Sequence, residues 1–220
     1  DVPDAEIDSF IEAFRATFVP EEAQTNGPAF ERVEIAGRSL RYLKHGQSGE
    51  PVLLLHGFGG DLNDWRFNHE VLAAGREVYA LELPGHGESS KAVGDGTVGS
   101  LAETVSAFMD AVGLPTAHLV GHSLGGAVAL HLALTRPDRV SSSTLICSAG
   151  LGPEIDGDFV DGFIGAHRRK EIKPHLQKLF ADPSLVNRQL VDHVLKFKRL
   201  DGVDVALRTI AGEFIADGKQ

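Results

Sequence analysis

Apolar and polar positions change rhythm twice along the chain. Residues 5–18 place Ile7, Phe10, Ile11, Phe14 and Phe18 at steps of three and four, which predicts an amphipathic helix. Pro20, Glu21, Glu22 and the Gly27-Pro28 pair then break the pattern. This leader, residues 1–28, reads as a linker helix that docks on another surface, with a tether to an upstream domain as the alternative. From Phe30 a period of two takes over, and residues 30–36 and 39–44 predict a hairpin around Gly37-Arg38. Val52-Leu53-Leu54-Leu55 is a solid apolar run, as a strand buried on both faces requires, and it ends in the glycine-rich stretch His56-Gly57-Phe58-Gly59-Gly60. Helical spacing over about 63–74, a strand at Glu77–Leu81, a helix over 98–112, a strand at Ala117–Val120, a helix from Ser123 to about Thr135 and a strand at Val140–Ser148 follow in turn. This alternation predicts βαβ units, hence an α/β fold with a mostly parallel sheet and helices on both faces over residues 29–150. After Ser148 the alternation stops. Residues 151–220 show only helical spacing, which predicts a helical cap over one edge of the sheet.

Composition narrows the class. A length of 220 residues allows one domain, or one with an embellishment, and 42% hydrophobic residues with 24% charged excludes disorder as the main state. No apolar run approaches the roughly 18 residues that span a bilayer. A net charge of −10 repels a phosphate backbone, so neither a membrane nor nucleic acid is an expected partner. The one basic run, Arg168-Arg169-Lys170, reads as a solvated helix end. The one cysteine, Cys147, forms no internal disulfide and gives no reason to invoke an oxidising compartment, so a cytoplasmic location is expected. Its apolar setting predicts a buried, inert thiol.

The chemistry concentrates at Gly121-His122-Ser123-Leu124-Gly125, a G-x-S-x-G pattern between a predicted strand and a predicted helix. A chain that turns from strand to helix within about one residue strains the apex and leaves no room for a Cβ at Gly121 and Gly125. The apex hydroxyl of Ser123 then projects at the carboxyl end of the sheet, beside a helix N-terminus that favours a developing oxyanion. Acyl transfer needs two N–H donors there. Leu124 N–H is one candidate, and Phe58 N–H in the loop after the neighbouring strand is the other. His56, Gly57, Gly59 and His122 complete the supporting loops. The glycines at 57–60 lack the Lys-Ser/Thr of a P-loop, and Gly94, Gly96 and Gly99 follow no strand, so neither marks a nucleotide site. Asp156-Gly157-Asp158 fails the EF-hand spacing because Val160 occupies the third ligand position, and it reads as a turn and helix cap.

Val52–Gly60, Leu83-Pro84-Gly85-His86-Gly87-Glu88-Ser89 and Gly121–Gly126 together resemble the α/β-hydrolase family. Within it, the chain resembles the hydrolase-like domain of the acetoin dehydrogenase dihydrolipoamide acetyltransferase subunits, in which a lipoyl domain lies upstream. The resemblance implies a serine hydrolase or acyltransferase acting on a small-molecule acyl substrate through Ser123. It implies no metal and no cofactor for hydrolysis, and its partners would be an upstream lipoyl domain or a complementary C-terminal fragment. Glu82 stands where relatives carry Asp, a departure expected to affect loop bonding and not chemistry.

A serine hydroxyl needs a base oriented by a carboxylate. His131, His167, His175 and His193 follow Ser123, but none follows a predicted strand. His56 and His86 belong to loop motifs, and the elbow turns His122 away. The expected base and acid therefore lie beyond Gln220, on strands and helices that would complete the sheet, and the 220 residues alone are expected to be inactive. Glu154 or Asp156 is a fallback for the acid. A non-catalytic binding or scaffolding module on the same fold stays open, as do a carbon–carbon bond hydrolase and a cofactor-free haloperoxidase.

Overall fold

The structure is a computed structural model and describes residues 30–215. The helix expected at 5–18 lies outside the described residues. The hairpin forms as β1 (Phe30–Ile35) and β2 (Arg38–His45), followed by β3 (Pro51–Leu55), β4 (Glu77–Leu81), β5 (Ala117–His122) and β6 (Val140–Ile146). The strands lie in the order β1-β2-β4-β3-β5-β6. β1 and β2 run antiparallel to their neighbours, while β4, β3, β5 and β6 pair in parallel.

The order explains where a site can form. From β3 the chain moves to β4 on one side, then crosses back to place β5 on the other side of β3. That reversal opens a crevice at the carboxyl ends of β3 and β5. The His56–Gly60 loop follows β3, and Ser123 follows β5.

Alternate residues of the central strands feed two cores, as a sheet covered on both faces requires. Leu53, Leu55, Tyr79, Leu81 and Leu119 pack under α2 (Val98–Ala111) and α3 (Leu124–Thr135). Val52, Leu54, Val78 and Ala80 face the other way onto Leu62 and Trp65. α2 begins where Thr97 accepts the N–H of Ser100, a side-chain cap.

The helix expected over 63–74 is broken. Asp61 accepts the N–H of Asn63 and starts a 3₁₀ turn at Leu62–Trp65, and only His69–Leu72 is α-helical (α1). Leu62 and Trp65, three apart, eclipse on such a turn and both reach the core. The strand expected to Ser148 ends at Ile146, and Cys147 is exposed at φ 44°, not buried. β6 pairs only with β5 among the described residues, so the apolar run lies on a sheet edge and four of its seven residues in succession, Ser141–Thr144, are exposed.

Residues beyond 151 form α4 (Gly157–Gly165), α5 (Arg169–Gln177), α6 (Arg188–Lys198) and α7 (Val203–Phe214). Asp156 caps α4 by accepting the N–H of Phe159 and pairs with Lys178, matching the turn-and-cap reading. The block seats on the loops after β3 and β4. The Phe58 ring lies 6.2 Å from Phe163 and 5.8 Å from Phe214, and a Cβ on Gly85 would meet Ala206 and Ile210. Phe163 is 2% exposed, and full burial of such a ring stabilises the contact by roughly 1.5–3 kcal/mol. No helix among the described residues is long and apolar enough to cross a membrane.

Candidate functional site

Ser123 sits between β5 and α3 with φ 50° and ψ −115°, outside the regions open to an unstrained L-residue. Such a conformation costs roughly 1–3 kcal/mol and persists only when its surroundings over-determine it. Here they do. Ser123 N–H donates to Ile146 O at 3.0 Å, and Ser123 O accepts from Ala149 N–H at 3.1 Å and from Gly126 and Ala127. A Cβ on Gly121 would overlap the Gly125 carbonyl, and one on Gly125 would overlap the carbonyls of Leu55 and His56. The end of β3 therefore lies directly against the start of α3. Gly57 faces His122 and the Ser123 Cβ, so the glycine loop and the strand-to-helix junction adjoin.

Ser123 is half-buried, and its hydroxyl has no hydrogen-bond partner among the described residues. The N–H groups of Leu124 and Phe58 likewise meet no acceptor among them. Leu124 opens α3, where the first N–H groups have no helical acceptor and the dipole is positive.

His56 pins the loop. It is fully buried; its Nδ1–H donates to Gly57 O at 2.8 Å and its Nε2 accepts Leu83 N–H at 3.0 Å. His86 packs edge-on to His56 and Phe58, with its Nδ1 3.0 Å from Pro84 O. Burial lowers His56 to about 4 and His86 to about 3, so both rings are neutral. A base with a depressed folded pKa takes up its proton on unfolding, so acid favours the unfolded chain. The stability these rings contribute is full above about pH 6.5 and is lost as the pH falls toward 4 for His56 and 3 for His86. The slope is roughly 1.4 kcal/mol per ring per pH unit within that window. Ring NMR signals of both are expected to stay neutral at pH 5; titration near 6.5 would contradict the assignment.

Glu82 acts in loop bonding. Its carboxylate accepts Glu88 N–H at 2.7 Å, lies 3.4 Å from the buried Arg41 guanidinium, and fills the space a Cβ on Gly87 would need. Burial and the Asp61 charge push it up to about 8, with Arg41 opposing.

None of the histidines after Ser123 bonds its hydroxyl among the described residues. His131 packs beside Gly99, His167 precedes α5 with its N–H on the Glu171 carboxylate, and His175 fills the space over Gly162. His122, whose pKa burial lowers, lines a cavity beside the glycine loop. His193 holds a contact that sequence reasoning missed: its Nε2 lies 2.7 Å from Asp61 Oδ2, across 132 residues, and ties α6 to the loop after β3. Burial works to raise the Asp61 carboxyl, but the His193 bond and charge outweigh it and hold it well below the usual carboxylate range. The cavity beside this pair, about 330 Å³, is bounded by Gly60, Trp65, His122, Ile146, Phe180 and Leu190. The one local signal at this pair is the Asx turn in which Asp61 accepts Asn63 N–H at 2.7 Å.

The family model for the alpha/beta hydrolase fold matches residues 50–208. The chain is 52% identical over 98% of its length to a dihydrolipoyllysine-residue acetyltransferase component of the acetoin cleaving system from Pseudomonas putida. It is 40% identical over its whole length to the protein of the same name from Cupriavidus necator, and it spans 59% of each of those two relatives. A meta-cleavage product hydrolase from Pseudomonas fluorescens, 24% identical, superposes with a TM-score of 0.75 over 86% of this chain and 69% of that one, and so supports the fold. The strand order, the junction at Ser123 and these matches agree, and the chain belongs to the alpha/beta hydrolase fold family.

Proposed function

We propose that the chain carries the nucleophile of a serine-dependent acyl transfer. Ser123 Oγ attacks the carbonyl carbon of an ester or related acyl substrate, and the carbonyl electron pair moves onto oxygen. The N–H groups of Leu124 and Phe58 hold that oxyanion. The carbon–leaving-group bond then breaks, the leaving group departs with a proton, and the acyl group stays on Ser123 until water or another acceptor removes it. The helical block acts as a cap whose apolar faces, with Phe58 and Trp65, suit an uncharged acyl group of modest size. The observation that carries the reading is the strained Ser123 backbone, at a junction where its hydroxyl and the N–H groups of Leu124 and Phe58 have no partner among the described residues.

The base that takes the Ser123 proton is not among the described histidines. His193 with Asp61 has the composition of a base and its orienting acid, yet the nitrogen bonded to Asp61 is Nε2 and the pair makes no bond to Ser123. The fallback acid Asp156 is engaged by Lys178 and the start of α4. We place the base and acid outside the 220 residues, so this chain alone turns over no ester at an enzyme-like rate. The two acetoin-system relatives suggest the setting: a domain of the acetyltransferase component of such a system.

A fluorophosphonate probe applied to the complete gene product tests the reading. Labelling at Ser123 is expected, and His193→Ala is expected to leave it intact. No labelling would support a binding or scaffolding module instead.

A further inference from the structure

The amino ends of the parallel strands carry a second serine beside a base, at the opposite end of the sheet from Ser123. β6 gains one residue on β5 at its start: Ala117 pairs with Val140 but His118 pairs with Ser142, so Ser141 is the extra residue of a bulge. That shift puts Ser142 directly opposite His118. The two side chains bond, with Ser142 Oγ 2.7 Å from His118 Nδ1. The other ring nitrogen, Nε2, lies 3.2 Å from Oε2 of Glu50, the residue before β3. Arg76, the residue before β4, bonds the same carboxylate oxygen. Five residue steps separate His118 from Ser123, about 16 Å at roughly 3.3 Å each, so this relay is distinct from the junction at Ser123.

The bonds fix the chemistry of the ring. A carboxylate only accepts, so Nε2 carries the ring proton toward Glu50, and the neutral imidazole leaves Nδ1 to accept the Ser142 hydroxyl. This is the tautomer in which a histidine takes a serine's proton, and the carboxylate faces the imidazolium that results. Arg76 first and His118 second hold the Glu50 carboxyl below the usual carboxylate range, so it stays charged. Solvent reaches the relay: the Glu50 side chain is 70% exposed and that of His118 25%. Four exposed hydroxyls stand in a row at Ser141–Thr144, yet among the described residues only Ser142 bonds a histidine. β6 pairs only with β5 among the described residues, so alternate N–H groups along its outer edge have no strand partner and are donors of the kind an oxyanion needs.

We propose that Ser142 is a second acylation site, with His118 as its general base, Glu50 positioning the ring, and small activated acyl donors such as aryl esters or thioesters as its reactants. Ser142 Oγ bonds the acyl carbon and its proton passes to His118 Nδ1. The bond to the leaving group then breaks, and the leaving group takes that proton. The products are an acyl ester on Ser142 and a free phenol or thiol. Nε2–H stays on Glu50 throughout. No residue of the Ser123 junction takes part, so the two serines react independently. A site open to solvent holds no donor in place, which makes its acylation slow and its donor range broad.

Peptide mass spectrometry of the complete gene product carrying Ser123→Ala, treated with p-nitrophenyl acetate, tests this. Arg139 ends one tryptic peptide and Val140 begins the next, so an adduct here is read apart from position 123, and fragment ions separate Ser142 from its neighbours. Acetylation of Ser142 is expected to run at least about tenfold faster than that of Ser141 and Ser143, which share its strand and exposure and serve as internal standards. His118→Gln is expected to lower the Ser142 rate about a hundredfold, as loss of a general base does. Glu50→Ala is expected to lower it about tenfold, the smaller loss of a positioning group. Glu50 and Arg76 are the charged groups of the relay at the His118 ring. With and without Glu50, the pH of half-maximal labelling is expected to match the midpoint of the His118 ring titration followed by NMR. Equal labelling of the three serines would overturn the proposal, as would Ser142 labelling that survives His118→Gln or ignores the His118 titration. A Ser142 rate untouched by Glu50→Ala would overturn the positioning role. No adduct at Ser142, where the protein with Ser123 intact is acylated at Ser123, would overturn this site and leave the Ser123 reading standing.

Discussion

Gly125→Val is expected to dismantle the junction at Ser123. A side chain there has nowhere to go: its Cβ would occupy the space of the Leu55 and His56 carbonyls, which are backbone and fixed by the parallel pairing of β3 with β4 and β5. Either α3 withdraws from the sheet or β3 shifts. Overpacking of a core contact costs typically about 1–3 kcal/mol, and backbone displacement at the centre of a sheet adds to it. Against a total stability of about 5–15 kcal/mol the loss is large. The melting temperature is expected to fall by several degrees at least. Withdrawal of α3 also moves Leu124 N–H away from the loop that carries Phe58. Valine at 125 with wild-type melting and wild-type probe labelling would show that the close approach is not needed.

Ser123→Ala in the complete gene product is expected to lower ester turnover at least a thousandfold, about 4 kcal/mol in the barrier. Stability separates this role from a structural one. Ser123 holds φ 50°, where glycine rests without strain and any β-carbon does not. Ser123→Gly is therefore expected to leave the melt unchanged or raise it by up to about 1 kcal/mol in stability, while turnover vanishes as in the alanine variant. A residue kept for the fold would lose stability when replaced. Turnover that survives both substitutions would place the reaction elsewhere.

Local signals made most of the fold legible. The solid run Val52–Leu55 and the apolar stripe of Val98–Ala111 each report burial within a few residues, and both, like the hairpin strand Phe30–Ile35, became the expected element. Gly121 and Gly125 marked the junction because close approach excludes a side chain whatever the rest of the fold does. Errors arose where neighbours outside the window decided. The helix expected over 63–74 gave way to a 3₁₀ turn at Leu62–Trp65 and a single α-helical turn at His69–Leu72. Cys147 follows an apolar run, but β6 lies at the sheet edge among the described residues, so hydrophobicity there did not report burial. The bond from His193 to Asp61 crosses the whole fold, and no periodicity can announce a pair 132 residues apart. The convergence of Arg168–Lys170 with Lys196 and Arg199 around a surface cleft escaped the sequence for the same reason: the packing of α5 against α6 makes it, and a basic run by itself reads as a solvated helix end.

The most direct measurement is mass spectrometry of the complete gene product quenched in acid during reaction with p-nitrophenyl acetate. An acetyl group on the peptide that carries Ser123, absent in Ser123→Ala, is the predicted result. Product release with no acetylated serine, or an adduct confined to other side chains, would contradict an acyl-enzyme at this position.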